Sequence, residues 1–120
     1  MAEIKIIIKK GNTTTGMLDL GNKFNANAKN KNTVIWRLKS TSNVESITSI
    51  LEKPFPLPDP SKNIWSIKPQ PVAGSTDWKG TLKDNIPTDT NWNYNITWKD
   101  LNGNAPPTCD PKIIVNSSRE

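Results

Sequence analysis

Residues 91–99, Asn-Trp-Asn-Tyr-Asn-Ile-Thr-Trp-Lys, alternate polar and bulky apolar side chains without a break. A strand sends successive side chains to opposite faces, whereas a helix would scatter the same residues around its circumference. The period of two therefore puts Trp92, Tyr94, Ile96 and Trp98 on one dry face and Asn93, Asn95, Thr97 and Lys99 on one wet face. A segment of this kind is stable only inside a sheet whose dry face is covered by another layer.

The same period recurs along the chain, and helical periodicity does not. Residues 3–10 read as a strand with Ile4, Ile6 and Ile8 on one face and Lys5, Ile7 and Lys9 on the other. Residues 33–40 place Val34, Trp36 and Leu38 inward and Ile35, Arg37 and Lys39 outward. Residues 46–52 are less regular, with Ile47 and Leu51 on one face and Ile50 on the other. Short strands are expected at 64–67, 76–83 and 110–116. Residues 11–32 are rich in Gly and Asn and read as loop, with one short strand at 17–20. Asn102-Gly103 is a strong hairpin signal for a type I′ turn. Between 54 and 71 lie six of the ten prolines, and Pro cannot donate to a ladder, so this stretch is expected to be an extended or polyproline-like crossing at a sheet edge or over the end of the sandwich, with Phe55 and Leu57 against the core. The fold class expected is all-β: a single antiparallel β-sandwich of about seven or eight strands, as one domain over residues 1–120.

The core is lean. Ile, Leu, Val and Phe together make 26 of the 120 residues, near the range of disordered chains. Five Trp residues offset this, each able to bury roughly 200 Å², worth up to about 5 kcal/mol. Trp36, Trp92 and Trp98 share the alternation of their strands and belong to the core.

The Trp-bearing strand 33–40, Trp78-Lys79-Gly80, Tyr94-x-Ile96-x-Trp98 and the closing Asp110-Pro111-Lys112-Ile113-Ile114-Val115 together resemble the back half of a cupredoxin. The order is also similar to small cupredoxin-like or immunoglobulin-like domains of unassigned function in Bacteroidetes-type bacteria. The resemblance implies a Greek-key sandwich in which a Tyr-containing strand runs through a loop into a final strand. It implies no copper here. A blue-copper site takes two His and a Cys thiolate, whereas this chain has no His and Ile96 stands where the ligand Cys would be.

The residue inventory closes most catalytic routes. Without His, the Ser-His-Asp and Cys-His arrangements are excluded, and one Cys, Cys109, allows no internal disulfide. Cys109 has no basic neighbour in sequence to lower its pKa. Asp100-x-Asn102-x-Asn104 opens like a calcium loop but has Ala105 at the sixth position and Pro111 at the twelfth. Asp77, Asp84, Asp89, Asp100 and Asp110 border turns, where their side chains serve backbone amides. No catalytic residue, metal ligand or cofactor is expected.

The net charge is +5, from 14 Lys and only two Arg against 11 acids, and the lysines are scattered rather than clustered. That is a solvated surface, with no specific nucleic-acid partner. The apolar run Ile6–Ile8 is too short for a secretory signal, and no window suits a membrane span. The product is expected to be cytoplasmic as synthesised, with export by a non-classical route left open. Function by elimination is binding or building. The expected role is a non-enzymatic structural or interaction subunit that assembles with itself or docks another protein through edge strands. The candidate edges are Ile4, Ile6, Ile7 and Ile8 at one end of the chain and Ile113, Ile114 and Val115 at the other. The alternative is a carbohydrate-binding module that stacks sugar on exposed Trp65 or Trp78.

Overall fold

A computed structural model describes residues 3–21, 25–40, 42–52, 64–86, 90–109 and 111–115. These form ten strands and no helix: β1 (Glu3–Ile8), β2 (Lys10–Gly11), β3 (Leu18–Asp19), β4 (Asn25–Ala28), β5 (Thr33–Leu38), β6 (Val44–Glu52), β7 (Trp65–Pro71), β8 (Trp78–Leu82), β9 (Thr90–Asp100) and β10 (Lys112–Val115). One four-stranded sheet has the order β1-β5-β8-β7, a second has the order β4-β10-β9-β6, and β2 with β3 makes a small ribbon. The all-β expectation holds, and the arrangement is consistent with a sandwich. The expectation of purely antiparallel pairing does not hold: β1 runs parallel to β5, and β4 runs parallel to β10. Both sheets are mixed because β1 and β4 each pair with a strand reached only after a crossover between sheets.

The dry face predicted from the alternation of β9 is the centre of the core. Trp92, Tyr94, Ile96 and Trp98 are all buried, and they face Ile6, Ile8, Val34, Trp36 and Leu82 of the first sheet. Four rings join the layers. Trp92 stacks on Tyr94 at 4.7 Å between ring centres, and Trp65 meets Trp92 edge-on at 5.0 Å. Trp36 meets Tyr94 edge-on at 5.8 Å, and its Nε1 donates to the Tyr94 hydroxyl at 3.2 Å. Such ring pairs each add about 0.5–1.5 kcal/mol beyond their area. The hydrogen bond satisfies two polar atoms in a place water does not reach.

Two local expectations are corrected, and a third holds in direction but not in exposure. In β6 the register shifts between Ile47 and Ser49, so Ile47 and Ile50 both face the core opposite Trp98 and Ile96, while Leu51 turns outward and is 64% exposed. Ile35 does lie on the outer face of its sheet, outside the core cluster, but flanking Lys5 and Lys79 leave it only 7% exposed. The turn at Asn102-Gly103 is not type I′, because only Gly103 has a positive φ (81°). Instead the Asp100 carboxylate accepts from the N–H groups of Asn102 and Asn104 and caps the turn, and β10 begins only at Lys112. The Pro-rich crossing expected at 54–71 lies outside the described residues as far as 63; its remainder forms β7.

Candidate functional site

The strand β1 begins from alternation alone: Ile6 and Ile8 are fully buried, Ile4 is half-buried at the margin of the core, and Lys5 and Ile7 face out. Six consecutive pairs tie it to β5, from Glu3 opposite Thr33 to Ile8 opposite Leu38, with no register shift. On its other side no strand lies beside Glu3–Ile7 among the described residues.

The backbone groups on that open side can be identified. In a parallel ladder the N–H and C=O of one residue point to the same neighbour, and the direction reverses at each step. The Ile8 carbonyl accepts from Lys39 N–H at 2.9 Å, on the β5 side. Ile4, Ile6 and Ile8 therefore serve β5, and Glu3, Lys5 and Ile7 present their N–H and C=O groups outward. Lys9, next in that phase, confirms the parity by donating to the Asp19 carbonyl at 2.8 Å. The ribbon β2–β3 covers this end of the edge, with Lys10 opposite Asp19 and Gly11 opposite Leu18. It goes no further, because the chain turns at Gly21, whose φ of 63° suits glycine, and leaves for β4 in the other sheet.

The other three outer strands are less open to docking. Pro69 and Pro71 interrupt β7, which also carries two register shifts against β8. The strand β6 is broken by two shifts against β9, and β4 is four residues long. Above β1 the outer face is mixed. Ile7 is half-buried beside Arg37, and Arg37 is held by a two-pronged ion pair to Asp77, with its Nη2 at 2.9 Å. That pairing raises the Arg37 pKa above its ordinary value, chiefly through the hydrogen bond to the Asp77 carboxylate.

The second candidate edge is not an edge. Ile113, Ile114 and Val115 belong to β10, which lies between β4 and β9 and pairs with both along its whole length. Ile113 and Val115 are buried, and Ile114 is half-buried between Asn27 and Asn91. The strand that covers it, β4, was expected to be loop. The signal for it was the alternation Asn25-Ala26-Asn27-Ala28, in which Ala26 and Ala28 are buried.

The two sugar-stacking candidates differ in exposure. Trp65 is 4% exposed and packs between Trp36 and Trp92. Gly80 makes this possible, because a Cβ there would press into the Trp65 ring. Trp78 is half-buried against the core, opposite Trp36. Trp65 therefore has almost no surface for a sugar to stack on, and Trp78 keeps only part of its surface accessible. An open groove of about 570 Å³ is lined by Trp65 with Lys31, Thr81 and Lys83, but Trp65 itself is only 4% exposed.

Other chemistry is sparse. The single thiol, Cys109, is fully buried, and its Sγ accepts from Leu18 N–H at 3.4 Å. No three His, Cys, Asp or Glu side chains among the described residues stand close enough to hold a metal ion. No described helix is long and apolar enough to cross a membrane. Comparison of the sequence with protein-family models and with curated proteins returns no match, so the functional conclusion rests on the open side of β1.

Proposed function

We propose that this chain is a non-enzymatic structural or interaction subunit that accepts a strand from another chain along β1. The observation that carries this is the row of outward N–H and C=O groups on Glu3, Lys5 and Ile7, on a strand with no bulge and no proline. An added strand would pair with these groups as neighbouring strands do within a sheet. The outward Ile7 supports the same reading, since an edge that must stay solvated is usually guarded by charge at such positions. As to fold, we infer one copper-less, cupredoxin-like sandwich. The supporting features are a core shared by both sheets and a Tyr94-bearing β9 that is followed in the chain, and flanked in its sheet, by the closing strand β10.

The test is the mass in solution by light scattering, against 13.4 kDa for one chain. Two variants accompany the wild type. Lys5→Pro deletes an outward N–H that the fold does not use, and Ile7→Lys adds a charge to the edge. A wild-type assembly that falls to monomer in Lys5→Pro and weakens in Ile7→Lys is the expected outcome. An assembly indifferent to both would place the contact elsewhere.

A further inference from the structure

We infer that the occupant of the β1 edge is a second copy of this chain, paired antiparallel about a two-fold axis through Ile4. This rests on the reading of β1 as a docking edge. A closed two-copy interface is self-complementary, so residue i of one strand faces residue j of the other and the reverse. Only outward-bonding residues can exchange hydrogen bonds across it, which limits the partners to the phase of Glu3, Lys5, Ile7 and Lys9.

Three registers remain, and charge and occupancy separate them. Centred on Lys5, the pairing sets Lys5 against its own copy, and like charges directly opposite are destabilising. Centred on Ile6, it sets Lys5 opposite Ile7 of the second copy, which gains no opposite-charge pair, and its outer pair of Glu3 with Lys9 is lost because the Lys9 N–H is already given to Asp19. Centred on Ile4, it sets Glu3 opposite Lys5 of the second copy, and Lys5 opposite Glu3, so two opposite-charge pairs form by symmetry. Each pair also exchanges two backbone hydrogen bonds. On the inner side the same register brings Ile4 against its own copy, covering a side chain that the core alone leaves half-exposed. The two β1-containing sheets then join as one eight-stranded sheet in the order β7-β8-β5-β1-β1-β5-β8-β7.

Charge exchange tests the register on the full chain. Glu3→Lys alone faces lysine with lysine, and Lys5→Glu alone faces glutamate with glutamate. Each is expected to weaken self-association about tenfold or more by sedimentation equilibrium. Mixed in equal amounts the two variants are complementary, and a one-to-one heterodimer is expected at wild-type strength. The double variant Glu3→Lys/Lys5→Glu is expected to pair with itself again. If both single variants self-associate like wild type while Lys5→Pro is monomeric, the register is overturned and the edge stands. If the wild type is monomeric up to about 1 mM, the second copy is overturned. Hydrogen exchange at the Lys5 and Ile7 amides then decides the rest: fast exchange keeps the edge open for a different protein, and protected amides overturn the edge too.

Discussion

Tyr94 is the chain's one tyrosine, and its hydroxyl sits in the core where it accepts from Trp36 Nε1. Burial holds its pKa well above the ordinary phenol value, because a phenolate there would lose its water. The Trp36 hydrogen bond favours the anion and only partly offsets this. In the unfolded chain the phenol ionises near pH 10. Above that pH the unfolded state holds fewer protons than the folded one, so stability falls as pH rises; below it the contribution is fully present. Tyrosinate absorbance should therefore stay absent from the native protein at about pH 10.5 and appear only with unfolding. Tyr94→Phe should cost about 1–3 kcal/mol at neutral pH by orphaning the indole N–H, and should also remove part of the alkaline loss seen in urea titrations. Native ionisation near pH 10 would place the hydroxyl in water.

At the scale of elements, what could be read from the chain was periodicity, and what could not was pairing. The faces of β1, β5 and β9 followed from alternation, down to the burial of Ile6, Trp36 and Trp98. Leu51 escaped because a bulge inverts the phase of β6 after Ile47, and nothing local in Thr48-Ser49 announces it. The burial of β10 escaped for a different reason. Its cover is an Asn-Ala alternation whose small apolar side chains carry little strand propensity, joined to it in parallel from more than eighty residues away. For the candidate site, the edge position expected of β1 agrees with its place at the end of its sheet, while the same expectation for β10 failed, since an edge is defined by a neighbour that is missing and alternation does not say which strand lacks one. Proline separates the two strands experimentally. Ile114→Pro, between Asn27 and Asn91, should cost about 1–3 kcal/mol for an orphaned ladder partner alone. Lys5→Pro should change monomer stability by less than about 1 kcal/mol in urea unfolding. Equal losses would mean that β1 is paired on both sides.

For the whole molecule, self-pairing through β1 ties stability to concentration. A partner that binds only the folded chain raises the unfolding temperature as its concentration rises. The wild-type Tm should climb across a hundredfold increase in protein concentration, and the Lys5→Pro Tm should stay flat. A flat wild-type curve would say that copies fold alone. The two parallel pairs carry a consequence of another kind, in time. Because β10 is the strand between β4 and β9, the second sheet lacks its middle until residue 115 has left the ribosome. A nascent chain halted before that point would hold β4 with no neighbour in its sheet and β9 with only β6, so the core around Trp92 would close late in synthesis. Pairings across such long sequence separations fold slowly and leave apolar strands uncovered meanwhile.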